Sequence, residues 1–209
     1  MAIPKIQSYP LPFKQDYPAA KVKWKIEKKR TALLIHDMQD YFINFYGEDS
    51  LLIQDVINNI VRLKTWCKEN HIPVFYTAQP AEQNDEDRAL LNDMWGPGLT
   101  AYPEQAEIVK KLSPTLQDQV LTKWRYSAFY RSDLHKTMKE KEKDQLIICG
   151  VYAHIGVLQT AADAFMNGIQ PFVVGDSVAD FSLKDHLFAL QYVNRNLGVV
   201  EDAQSVIAS

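Results

Sequence analysis

The chain is poor in the residues on which many enzymes build a site. Among its 209 residues are two cysteines, Cys67 and Cys149, too few for a disulfide framework or a four-cysteine zinc site. One falls in a helical pattern and the other in a strand pattern, so both are expected as buried, reduced thiols. The five histidines are scattered, with no HExxH spacing and no cluster of metal ligands, so neither a metal nor a cofactor is expected. No apolar run is long enough to cross a membrane. The opening MAIPKIQSYPLPF is broken by prolines where a secretory signal needs a continuous apolar stretch. The expected location is the cytoplasm. A net charge of −3 gives no general basis for binding nucleic acid. Residues 1–30 do carry eight Lys or Arg against Asp16 and Glu27, a balance that suits a solvated arm better than a nucleic-acid patch. Internal repeats and low-complexity linkers are also missing.

What is present suits one domain with a real core: 46% hydrophobic and 23% charged residues. Pro4, Pro10, Pro12 and Pro18 predict an extended N-terminal arm over residues 1–30, ahead of a catalytic domain over 31–209. TALLIHD (31–37) reads as a buried strand ending in an acid. Leu52, Val56, Ile60 and Leu63 recur at helical spacing within 50–70. IPVFYTAQP (72–80) is a second strand, followed by a long polar loop with the turn Gly96-Pro97-Gly98. The pattern then gives a short helix over 103–112, a short strand at 120–122 and a helix ending near Lys143. A strand at 145–149, a helix at 157–167, a strand with its loop at 170–182, a helix at 183–195 and a last strand near 198–200 complete the chain. Buried strands alternating with amphipathic helices indicate an α/β fold, with a mostly parallel sheet covered on both faces.

Ligands bind such sheets outside the carboxyl ends of the strands. There the sequence places Asp37, Gln79, Lys123 and the turn Gly150–Gly156, and the loop after the second strand adds Arg88 and Trp95. Each has an ordinary reading. Asp37 could cap a helix, Gln79 could be a turn residue, and Lys123 could lie along apolar surface. Arg88 could pair with its acidic neighbours at the surface, and Trp95 could pin a loop. Together they suggest an acid, a nearby cation and an Arg whose planar fork suits a carboxylate. Amide protons at the start of helix 157–167 would offer a further place for an anion. Phe42, Trp95, Phe129 and Tyr152 could wall the site and raise the Asp37 pKa while Lys123 lowers it; sequence leaves that contest open. The turn CGVYAHIGVLQT sits where a nucleophile is often carried, yet residues 152–156 hold neither Ser nor Cys.

LLIHDMQDYF, PVFYTAQP, DRALLNDMWGPGL, LTKWRYSAF, LIICGVYAHIGVLQTAADAF and VGDSVADFS, in this order along nearly the whole chain, resemble the isochorismatases of catechol siderophore synthesis. The resemblance implies a three-layer α/β/α Rossmann-like fold and hydrolysis of the vinyl ether of isochorismate to pyruvate and 2,3-dihydro-2,3-dihydroxybenzoate, the precursor of 2,3-dihydroxybenzoate. The superfamily also holds amidases with an Asp–Lys–Cys triad. Asp37 and Lys123 match the Asp and Lys, while Gly156 stands in place of the Cys, as in the isochorismatases. Asp37 is implied as the acid, oriented by Lys123. Phe42, Gln79, Arg88, Trp95, Tyr152 and Gly156 are implied around the substrate, with a cis peptide before Tyr152. A Cys at 156 would be needless and would occupy substrate space. A homodimer or higher homo-oligomer is implied, as are non-ribosomal peptide synthetase components of a siderophore pathway as partners. Many relatives carry a C-terminal carrier domain; this chain ends at EDAQSVIAS, so no phosphopantetheine is expected in it. The alternatives are a vinyl-ether hydrolase acting on aminodeoxyisochorismate, as in phenazine synthesis, and a non-catalytic synthetase scaffold, which intact Asp37 and Lys123 disfavour.

Overall fold

The computed structural model describes residues 3–209. Six strands form one sheet: β1 (Thr31–His36), β2 (Val74–Ala78), β3 (Gln119–Thr122), β4 (Gln145–Val151), β5 (Gln170–Ala179) and β6 (Val199–Glu201). Their spatial order is β3-β2-β1-β4-β5-β6. Every pairing is parallel, which tightens the expectation of a mostly parallel sheet to a wholly parallel one. Parallel strands need crossovers, and eight helices are found among the described residues. They are α1 (Asp40–Ile43), α2 (Leu51–Glu69), α3 (Asp85–Arg88), α4 (Leu91–Trp95), α5 (Leu134–Glu140), α6 (Leu158–Met166), α7 (Leu183–Asn196) and α8 (Ala203–Ile207).

The central strands β1 and β4 are buried along their whole length. Alternation sends Leu33, Ile35, Ile147 and Cys149 to one face, against α2 and α8. Ala32, Leu34, Leu146 and Ile148 go to the other, against α5, α6 and α7. Helix α2 starts where the Ser50 hydroxyl accepts from the Ile53 amide, and α7 where Ser182 accepts from Asp185. Cys67 and Cys149 are buried free thiols, both pushed up by burial. No helix among the described residues is long and apolar enough to cross a membrane.

Over its described residues, 3–30, the arm has no α-helix or strand, only short turns such as Lys14–Asp16. It is pinned rather than loose. The Ile6 amide donates to Phe45 O, the Lys21 amide to Asn194 O and Asn194 Nδ2 to Pro18 O. Tyr17 packs so close to Gly175 that a Cβ there would lie 2.5 Å from the Tyr17 ring.

One expected element is absent. Residues 103–112 form two short turns, Pro103–Gln105 and Lys110–Leu112, instead of a helix. Their backbone bonds go elsewhere: the Asp40 amide donates to Glu107 O and the Val109 amide to Met38 O. The segment is stitched to the residues after β1. Helix α8, capped by Asp202, was not expected from the sequence.

Strand order reverses between β1 and β4: β2 and β3 lie on one side, β5 and β6 on the other. At such a switch point the loops part and leave a crevice. Asp37 leaves β1 there and Tyr152 leaves β4.

Candidate active site

Of the site residues expected from the sequence, all but Phe129 line one pocket: Asp37, Phe42, Gln79, Arg88, Trp95, Lys123, Tyr152 and Gly156. Asp37, one residue past β1, has φ of 51°, a left-handed turn that aims its carboxylate across the strand ends. Lys123 follows β3, anchored by its amide to Ala78 O at 2.9 Å. Its Nζ donates to Asp37 Oδ2 at 2.7 Å. Thr77, on β2 between them, donates its hydroxyl to Asp37 Oδ1 at 2.6 Å and accepts from the Asp37 amide at 3.1 Å.

Both charges are buried, so their protonation is a balance. Burial is the largest influence on Asp37 and raises its pKa; His36, Lys123 and the Lys123 and Thr77 hydrogen bonds lower it and win. Burial drives the His36 pKa down to about 4, so that ring is neutral near pH 7 and the pull there comes from Lys123 and Thr77. Burial also lowers the Lys123 pKa, against the raising effect of Asp37. The contest left open by the sequence ends with Asp37 ionised in the free protein.

The pocket's cations differ from this pair. Arg88, at the end of α3, is buried, and its bonds go to Gly96 O at 2.6 Å and Gln83 Oε1 at 3.3 Å. The expectation of a surface ion pair fails here. Among the described residues no carboxylate lies within ion-pair distance of it, whereas Arg131 takes Asp87. Gly98 makes room for the guanidinium; a Cβ there would stand 2.2 Å from Arg88 Nη2, and φ is +59°. Arg125 also lines the pocket, tied through Nη1 to the carbonyls of Asp87 and Trp124. Burial first, and then the like charge of Arg125, depress the Arg88 pKa below its ordinary value, against Tyr41.

The walls are aromatic. Tyr152 donates its hydroxyl to Phe42 O at 2.9 Å, and its ring meets Phe181 at 4.7 Å and Phe42 at 6.1 Å between centroids. Trp95 Nε1 donates to the Tyr126 hydroxyl at 3.0 Å. The Val151–Tyr152 peptide is cis, at the place implied by the resemblance. Phe129, expected among the walls, packs instead with the core on the α6 side of the sheet. Its segment turns away where the Ala128 amide donates to Thr160. Tyr41, Tyr126 and Phe181 stand in its place, joined by Ile3 from the arm.

At the turn after Tyr152, three of the amides that could meet an anion are already bonded. The chain makes a wide turn over Ala153–Val157, in which the Ile155 and Val157 amides donate to Tyr152 O and the His154 amide to Asp180. Position 156 is also closed to a side chain by a residue not expected there. The volume a Cβ would enter is filled by the His36 ring, at 2.1 Å from Cε1.

Thr77, His36 and Gln39 were not singled out by the sequence. Gln39 clamps Gln79 from both sides, accepting from its amide at 2.7 Å and donating to its carbonyl at 2.9 Å. A polar residue on a strand otherwise buried was the available signal for Thr77 and His36.

An ionised acid held by a lysine, under aromatic walls, beside two guanidinium groups, with no nucleophile at the turn: the comparisons with known proteins fit this geometry. The family model described as the isochorismatase domain matches residues 31–205. The chain belongs to the isochorismatase family. It is a hydrolase by that membership. Enterobactin synthase component B of Escherichia coli K12 is 58% identical over 96% of this chain and 70% of its own length. The protein named isochorismatase in Bacillus subtilis is 52% identical over 92% of this chain and 62% of its own. Phenazine biosynthesis protein PhzD1 of Pseudomonas aeruginosa is 46% identical over 98% of both chains. In fold, a cysteine hydrolase from Pseudomonas syringae pv. phaseolicola superposes with a TM-score of 0.82 at 20% identity, over 91% of this chain and 96% of that one.

Proposed function

We propose that this family member hydrolyses the vinyl ether of isochorismate by protonation at carbon, with Asp37 as the acid. The observation that carries the reading is the pair of guanidinium groups, Arg88 and Arg125, facing the Asp37–Lys123 pocket without carboxylate partners. Isochorismate is a dicarboxylate, and its two acids supply the missing charges. Arg88 takes one through its fork, Gln79 and Tyr152 contact hydroxyls and carboxylate, and Phe42, Trp95 and the side-chain-free Gly156 shape the remainder. Protonated Asp37 gives its proton to the terminal methylene carbon of the enol group. The ether-bearing carbon becomes an oxocarbenium ion, water adds there and returns a proton to Asp37. The hemiketal then breaks its bond to the ring oxygen, which leaves as the hydroxyl of 2,3-dihydro-2,3-dihydroxybenzoate, with pyruvate as the other product. No protein nucleophile is needed.

Asp37 is ionised in the free protein, so its catalytic proton arrives with substrate. A carboxylate brought beside Asp37 repels its charge and raises its pKa. Binding is therefore expected to take up a proton near neutral pH. Calorimetric titration of an unreactive dicarboxylate analogue in two buffers of different ionisation heat should show it, and identical heats would contradict it. Because kcat/KM reports the free enzyme, it is expected to fall about tenfold per pH unit as pH rises through neutrality. A flat profile there would assign the proton to another source.

The reading places the chain in the cytoplasm, as a homo-oligomer, working with other synthetase components to make catechol siderophores. The relatives named for enterobactin synthesis support that setting. The relative named for phenazine biosynthesis, similar over nearly its whole length, supports a second reading with aminodeoxyisochorismate as substrate. Pyruvate release from each compound, coupled to lactate dehydrogenase, separates them. Turnover of isochorismate alone or preferentially upholds the first, and turnover of neither removes both.

A further inference from the structure

The imidazole of His36 lies where a side chain on residue 156 would have to be. A Cβ built on Gly156 would stand 2.1 Å from His36 Cε1, 2.8 Å from Nε2 and 3.1 Å from Nδ1. The Gly156 backbone lies outside the left-handed region, so space alone excludes a side chain there.

The ring is held in place from several sides. It is fully buried. Its Nδ1 lies 2.8 Å from Val151 O, the last carbonyl of β4, and its Nε2 lies 3.3 Å from Tyr126 O. Nδ1 is also 3.6 Å from Asp37 Oδ2. A neutral imidazole has one N–H, and the shorter contact, to Val151 O, takes it. One rigid ring thus bonds the end of β1 to the end of β4, and packs without a second hydrogen bond against the loop that carries Lys123 and Arg125 and against the acid itself.

We propose that His36 is a positioning residue for the proton transfer, its ring bracing Asp37 against the Tyr152–Gly156 turn in the very volume a side chain at position 156 would need. The proposal rests on the vinyl-ether reading above. It also gives that reading a structural cause. While His36 stands, no nucleophile can be carried at 156, and the site is committed to acid chemistry.

The test is a cycle of four proteins: wild type, His36→Asn, Gly156→Ala and the double variant. Asparagine keeps a nitrogen near Nδ1 that can donate to Val151 O, and lacks the atoms equivalent to Cε1 and Nε2. Melting temperature and the kcat and KM for pyruvate release are measured for each. Gly156→Ala pushes the ring off its seat, so kcat is expected to fall about a hundredfold with KM little moved. Its melting temperature should drop by several degrees. His36→Asn alone should lose about tenfold in kcat, a smaller displacement of the same kind. The double variant should recover about tenfold of the Gly156→Ala loss and most of its melting temperature, because contacting residues couple.

A double variant no better than Gly156→Ala in either readout would overturn the proposal. So would a Gly156→Ala protein indistinguishable from wild type. Melting temperatures that couple while kcat stays constant would reduce His36 to a packing residue and overturn the positioning role. If wild type releases no pyruvate, the vinyl-ether reading fails by itself; additive melting temperatures would then overturn the steric pairing too, and recovery in the double variant would uphold it.

Discussion

Asp37→Asn is expected to lower kcat for pyruvate release by about 10²–10⁴-fold, the range that a positioned general acid contributes. The amide has almost the shape of the carboxyl but cannot deliver a proton to carbon. It can still accept from Thr77, whose hydroxyl lies 2.6 Å from Asp37 Oδ1, so the geometry around the substrate survives and KM should change little. Stability should not survive untouched. Lys123 is buried, with its Nζ 2.7 Å from the lost carboxylate oxygen, and breaking a buried pair from one side costs about 3–5 kcal/mol. Loss of the Lys123 proton limits that cost. A lower melting temperature with intact substrate affinity and lost turnover is the expected set. A variant that keeps kcat within about tenfold of wild type would place the acid elsewhere.

Arg88→Ala is expected to act on the other kinetic constant. A buried guanidinium that meets a substrate carboxylate through two hydrogen bonds is worth about 2–5 kcal/mol, so KM should rise about a hundredfold or more. The kcat value should move little, because the proton transfer lies at Asp37. Arg88→Lys should not restore binding, since a flexible ammonium cannot present the fork. Stability is the distinguishing readout. Arg88 is buried with bonds to Gly96 O and Gln83 and no acid, so the free protein bears the desolvation of an unpaired charge. Its removal should leave the melting temperature unchanged or higher. A melting temperature that drops, with KM unmoved, would make Arg88 a structural anchor for the α3–α4 loop.

The residues legible in the sequence are those whose position along the chain already fixes their position in space. Asp37, Gln79 and the 150–156 turn follow buried apolar strands, and Lys123 follows the short, largely exposed β3. In a parallel sheet all strands end at the same edge, so four segments scattered over 120 positions meet. Arg88 and Trp95 were legible because a long loop after β2 has only that edge to fold over. The residues that were not legible reach the site through side-chain direction. Thr77 and His36 lie on strands among core residues, and one-dimensional order does not say which face or which end their side chains serve. Phe181, after β5, and Ile3, in the arm, arrive through tertiary packing. Phe129 illustrates the converse: it sits six residues after Lys123, yet the hydrogen bond from Ala128 to Thr160 turns that stretch toward α6. The short turns over 103–112 kept a helical composition but spent their backbone bonds on residues 38–40. Gly156 was read as a missing nucleophile, while the His36 ring that fills its side-chain volume required three dimensions.

If the reaction begins with a proton on carbon, water attacks the ether-bearing carbon of the enol group and never the ring. Hydrolysis of isochorismate in ¹⁸O-labelled water, with prompt mass analysis of the ring product, tests it most directly. The 2,3-dihydro-2,3-dihydroxybenzoate is expected to carry no label, because its new hydroxyl keeps the original ether oxygen. Label in the ring product would mean displacement at the ring carbon, and Asp37 would then have to be a base for water instead of an acid for carbon.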